Sequence, residues 1–172
     1  MANQTLKGGY TKQGKGTFSD RARWSAAFIQ YCMRGNAEFK KLDSGYNKGN
    51  HKRYWMAARE NTKLLKRGTL PEKDWFFLTA EQFNQIGYTP QIGDIGMMMS
   101  KPKYGRGGLH GDIYTPQGKV GGNLDNSVKI QTAKTHSIVT QNAEAREKFL
   151  KFHNVKDKIN PAMATNPKPR DN

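Results

Sequence analysis

Arg23-Trp24-Ser25-Ala26-Ala27-Phe28-Ile29-Gln30-Tyr31-Cys32-Met33-Arg34 is the stretch whose reading decides the fold. Trp24, Ala27, Phe28 and Tyr31 stand at i, i+3, i+4 and i+7, the spacing of one buried helix face. Ser19 or Asp20 suits an N-cap and Gly35-Asn36 a stop, so this spacing predicts a helix over about residues 20–34. Ser25 lies near its start, directly after a tryptophan. On pattern alone it is a cap or a small packing residue. The sharper alternative makes it a nucleophile presented by a buried helix.

Outward from that helix, residues 1–18 are rich in Gly, Lys and Thr and read as an extended basic arm. Residues 36–50 are polar and end in a loop, Ser44–Asn50. A second helix is expected from His51 to about Arg67, with Tyr54, Trp55, Ala58 and Leu64-Leu65 on its apolar side. Gly68 stops it and Pro71 bars a restart. Trp75–Thr79 reads as a short buried strand and Ala80–Gly87 as a helical turn. Pro90-Gln91-Ile92-Gly93-Asp94 is a turn into the strand Ile95–Met99.

After the basic loop Lys101–Gly108, strands are expected at Leu109–Thr115, Lys119–Asn123 and Ser127–Thr132, a small meander folded back at Pro116-Gln117-Gly118. His136–Thr140 is a further candidate strand, residues 142–153 a short helix, and the chain from Asn154 a loosely held tail. Helices followed by an antiparallel meander give an α+β class, with helices packed on one face of the sheet. Residues 19–153 are then a single domain between arm and tail.

A chain of 172 residues buries a core without staples. Its single cysteine, Cys32, forms no internal disulfide and is expected as a small buried hydrophobe. No apolar run approaches the roughly 18 residues that span a bilayer, and residues 1–7 lack the apolar core of a secretory signal. The expectation is a soluble protein without membrane insertion. The net charge of +15, from 29 Lys and Arg against 14 Asp and Glu, favours polyanionic partners: nucleic acid, acidic membranes or cell-wall polymers.

Acyl transfer needs a nucleophile, a base within hydrogen-bond reach, a group orienting that base, and donors for the oxyanion. Ser25 and His110 are candidates for the first two. Asp112, two residues along the same strand, shares a face with His110. Asn123 on the returning strand is the other candidate orienter, with Asp125 beyond it. The backbone N–H of Ser25 suits the oxyanion if it lies in the first helical turn. His51, His136 and His153 show no metal-ligand spacing, and no cofactor or metal is expected.

Trp24-Ser25-Ala26-Ala27-Phe28-Ile29, then Pro90-Gln91-Ile92-Gly93-Asp94-Ile95, His110-Gly111-Asp112-Ile113 and Gly121-Gly122-Asn123 closely resemble, in order, the cell-wall amidases and endopeptidases of the papain-like superfamily. The CHAP and NlpC groups are its best-known members. The likeness is greatest to a CHAP relative whose helix begins W-S-A-A-F-I and whose strand ends G-G-N. His51-Lys52-Arg53-Tyr54 also resembles a His-x-x-Tyr element of that group.

The resemblance covers about residues 18–132. It implies a papain-like fold with Ser25 as nucleophile, His110 as base and Asn123 as orienter. Trp24, His51, Tyr54 and Tyr104 are the expected substrate-contacting side chains. The better-known families use a cysteine thiolate, whereas Ser25 must surrender its proton to a base during attack. A carboxylate behind the histidine supports that step best, which keeps Asp112 and Asp125 open beside Asn123.

The expected function is hydrolysis of a peptidoglycan amide bond, by an endopeptidase or an N-acetylmuramoyl-L-alanine amidase. The context is phage lysis or a virion, made in the host cytoplasm and acting in the periplasm or wall. The alternatives are an inactive homologue serving as a wall-binding or phage tail component, and a nucleic-acid-binding protein using the Lys101–Gly108 loop with Tyr104.

Overall fold

A computed structural model describes residues 25–42, 50–71, 74–99, 108–124 and 127–155, with the side chains of Asn123 and Leu124 outside the description. The arm, the helix start at 19–24, Trp24, the Lys101–Gly107 stretch with Tyr104, Asp125 and the tail from 156 lie outside these residues.

The organising helix, α1, runs Ser25–Cys32. Its buried seam is displaced one residue from the expected one. Ala26, Ile29 and Met33 at i, i+3 and i+7 go inside together with Ser25, while Ala27, Phe28 and Tyr31 are only half-buried. That rotation leaves Cys32 exposed, contrary to the burial expected of it. It also turns Ser25 toward the interior.

The polar stretch before the loop expected at 44–50 holds a helix not expected from the sequence. Ala37–Leu42 forms α2, begun by the Asn36 side chain, which accepts from Phe39 N–H at 2.8 Å, and anchored by buried Phe39 and Leu42. The cue was present as Asn36 followed by Phe39 and Leu42 three residues apart.

Helix α3 spans His51–Lys66, with the Asn50 side chain accepting from Lys52 N–H as its N-cap. His51, Tyr54, Ala58, Asn61, Thr62 and Leu65 form one continuous buried stripe at helical spacing. Gly68, at φ 77°, closes the helix in the left-handed conformation a side chain would resist.

The remaining elements follow the sequence closely. They are β1 (Phe76–Thr79), α4 (Ala80–Gln85), β2 (Ile95–Met99), β3 (Leu109–Thr115), β4 (Gly118–Leu124), β5 (Ser127–Ile130), β6 (Ser137–Thr140) and α5 (Ala143–Phe152). Among the described residues this is an α+β fold of five helices and one six-stranded antiparallel sheet, ordered β1-β6-β2-β3-β4-β5. Only β2 to β5 form the expected meander. Strand β6 inserts between β1 and β2 and is buried along its whole length.

Helices cover both sheet faces, rather than one. Register places Phe77, Val139, Ile95 and Ile113 on one face, where they pack with Met97, Ile29, Met33, Phe39, Tyr54 and Ala58. Phe76, Leu78 and Ile138 face the other way, toward Phe83 of α4 and Phe149 of α5. The central strands therefore bury both faces, which a helices-then-strands order does not reveal. Val155 is also buried in this second cluster, so the packed core extends past residue 153.

Side chains of α3 tie β1 in place. Thr62 Oγ1 accepts from Phe77 N–H at 2.8 Å and lies 2.7 Å from Phe77 O, and Asn61 Nδ2 donates to Trp75 O at 2.6 Å. Thr62→Val keeps the volume but strands the Phe77 N–H. It should lower the urea midpoint at unchanged m, by about 1–3 kcal/mol of stability.

Candidate active site

Ser25 opens α1 as described, and α1 packs across β3 and β4. The buried Ser25 Oγ lies 2.7 Å from His51 Nε2. The base expected from sequence is His110, but the ring bonded to Ser25 belongs to His51, at the first turn of α3. The other His51 nitrogen, Nδ1, is hydrogen-bonded to the Tyr54 hydroxyl one helical turn on. That hydroxyl also approaches Met97 Sδ at 3.6 Å.

Gly111 makes this arrangement possible. A Cβ there would lie 2.8 Å from the Tyr54 hydroxyl oxygen and 2.9 Å from His51 Cε1. The first turn of α3 therefore rests on bare β3 backbone, and Met97, the neighbour of Gly111 across the β2–β3 ladder, supplies the sulfur beneath the phenol.

By the alternation of the strand, His110 and Asp112 turn to the side of β3 opposite Gly111. His110 Nε2 sits 2.9 Å from Asp112 Oδ1, an ion-pair approach without hydrogen-bond alignment. Asp112 is wholly buried, and Lys119 Nζ stands 3.8 Å from its second oxygen while also bonding Thr135 Oγ1 at 3.0 Å and the Ala133 carbonyl. A Cβ at Gly121, the residue paired with Asp112, would fall inside that carboxylate. The pair is not remote from the serine: the His51 and His110 ring centroids are 6.2 Å apart.

Of the expected site residues, Ser25 and His51 therefore meet directly, and His110 and Asp112 meet beside them. Tyr54, expected from sequence among the substrate-contacting side chains, is wholly buried with its hydroxyl against His51 Nδ1. The pairing of β3 with β4 ends at Asp112↔Gly121, two residues short of Asn123, whose side chain is outside the description. Trp24, Tyr104 and Asp125 are outside it too. The Pro90–Asp94 turn is structural. Asp94 Oδ2 accepts from Tyr88 OH at 2.7 Å and from Gln91 N–H at 2.9 Å. Among the described residues no cluster of His, Cys, Asp and Glu could hold a metal ion, and no helix is long and apolar enough to cross a membrane.

Burial, with the nearby His110 charge adding to it, pushes the His51 pKa down to about 3. His51 is neutral at pH 7, with one ring nitrogen free to accept a proton. Burial likewise lowers the Lys119 pKa, opposed by the Asp112 carboxylate.

Two measurements probe this geometry. Between pH 6.5 and about 3 the unfolded chain binds a proton at His51 that the folded one refuses. Stability should therefore fall as pH drops through that window, by on the order of 5 kcal/mol, and His51→Gln should flatten the slope in acid urea titrations. Gly111→Ala should cost about 1–3 kcal/mol by overpacking His51 and Tyr54, read as a lower melting temperature. No family model, curated protein or solved structure matches this chain.

Proposed function

We propose that this chain is a serine hydrolase that cleaves an amide bond of bacterial peptidoglycan, as an endopeptidase or N-acetylmuramoyl-L-alanine amidase, in phage lysis or as a virion component. The observation that carries the reading is the buried Ser25–His51 hydrogen bond of 2.7 Å at the start of a helix. The net charge of +15 suits an anionic wall, and the resemblance to papain-like wall enzymes supplies the substrate class.

The steps are those of a two-stage acyl transfer. Ser25 Oγ attacks the carbonyl carbon while its proton passes to His51 Nε2. In this reading the backbone N–H of Ser25, at the first described residue of α1, serves as the oxyanion donor. The C–N bond then breaks, and the proton on Nε2 goes to the departing amine. Water then gives a proton to His51 Nε2 as its oxygen attacks the ester carbon. The C–O bond to Ser25 breaks, and Nε2 returns that proton to Oγ, restoring the hydroxyl and the neutral ring.

A second reading is a non-catalytic wall-binding or tail component of the same fold. What favours it is the depressed basicity of His51: a ring held near 3 takes the serine proton less readily than one near 7. Mass spectrometry of muropeptides released from purified sacculi separates the two. Wild type should release new amines or carboxyl ends, while Ser25→Ala and His51→Ala lower the rate by about 10³-fold or more. Wild-type protein that binds sacculi and releases no more than Ser25→Ala would establish the second reading and overturn the first.

A further inference from the structure

His51 is bonded through both ring nitrogens to hydroxyl groups, to Ser25 at Nε2 and to Tyr54 at Nδ1. A neutral imidazole carries one N–H, so one nitrogen donates and the other accepts. Only one of the two assignments makes Ser25 a nucleophile with a base. If Nε2 carries the proton, the ring donates to Ser25 and cannot take its proton. If Nδ1 carries it, the Nε2 lone pair meets the serine O–H.

The third atom at the phenol favours the second. Met97 Sδ is 3.6 Å from the Tyr54 oxygen, and a thioether only accepts. With Tyr54 donating to the sulfur, its oxygen lone pair faces His51 and accepts from Nδ1–H. The three contacts, Ser25 to Nε2, Nδ1 to Tyr54 and Tyr54 to sulfur, then carry one proton each. In the opposite assignment the Tyr54 proton goes to Nδ1 and the sulfur contact has none.

The ring has little freedom to turn away from this. His51 and Tyr54 lie one turn apart on α3, and the backbone at Gly111 is close against His51 Cε1 and Nδ1 and the Tyr54 hydroxyl.

We propose that Tyr54, with its hydroxyl proton directed onto Met97 Sδ, is the positioning residue that holds His51 in the Nδ1–H tautomer and so turns the Nε2 lone pair toward Ser25. The inference rests on the hydrolase reading for its catalytic consequence, but the tautomer itself is a property of the free protein. A phenol here takes the place that a carboxylate holds in trypsin-type enzymes. It orients the ring without bringing a full negative charge to an imidazolium, in keeping with the low basicity of His51.

The test is nitrogen-15 NMR of the imidazoles near pH 7 on the full-length protein, with His51→Gln to assign the signals. Wild type should show a pyrrole-type Nδ1 and a pyridine-type Nε2. Tyr54→Phe removes the acceptor for Nδ1–H, and Met97→Leu, nearly isosteric, removes the acceptor for the phenol proton. Both should move the ring toward the Nε2–H form.

On sacculi, Tyr54→Phe should lower kcat by about 10²–10⁴-fold with KM little changed, the order of loss seen when a trypsin-type histidine is held in the wrong tautomer. A wild-type spectrum with Nε2 protonated, or a tautomer unchanged in both variants, would overturn the proposal. The expected spectra with no hydrolysis by wild type would uphold the tautomer assignment and defeat the hydrolase reading alone.

Discussion

The close approach of α3 to the bare backbone of β3 at Gly111 governs the arrangement of this molecule. The Tyr54 phenol and the His51 ring occupy the space where a side chain at 111 would stand. Because His51 and Tyr54 begin the same buried stripe that continues through Ala58, Thr62 and Leu65, the whole helix is placed by this contact at one end and by its ties to β1 at the other. Once α3 is seated, His51 has one direction in which to point, and α1 brings Ser25 to it.

The second constraint is that the central strands of the sheet are buried on both faces. Polar groups inside it must find partners in the protein, and an unpaired buried charge is costly. The solution around Asp112 is a cluster with His110 on one side and Lys119 on the other. Lys119 is anchored by Thr135 and the Ala133 carbonyl, and Thr135 in turn bonds the Tyr114 hydroxyl. The Asp112 carboxylate carries no aligned hydrogen bond among the described residues. A hydrogen-bonded chain, Ser25–His51–Tyr54–Met97, and the close His110–Asp112 pair thus lie beside each other, with the two histidine ring centroids 6.2 Å apart.

Much of the framework was legible in the sequence. Period-3.6 spacing and Gly68 bounded α3 to within a residue, and β2 and β3 fall where β-type runs and turn residues put them. What resisted reading has physical causes. The i, i+3, i+4, i+7 spacing points to Trp24, Ala27, Phe28 and Tyr31 as the α1 seam, whereas among the described residues the packing of α1 on the sheet buries Ala26 with Ile29 and Met33. Helix α2 is short and mostly polar, and it holds through two buried anchors, too few to stand out against the loop around them. The place of β6 between β1 and β2 depends on pairing across long sequence separations, which no local pattern encodes.

Ser25 at the head of a buried helix, the strand run with His110 and Asp112 on one side, and the strongly basic composition are properties of the chain itself, because they follow from spacing, alternation and charge. Which histidine meets the serine is not. His110 and Gly111 are adjacent in sequence and face opposite ways, so a single step of strand alternation turns one toward Asp112 and opens the other to α3. The choice of His51 over His110 was made by packing, where a missing side chain on β3 admits the first turn of a helix some sixty residues earlier in the chain.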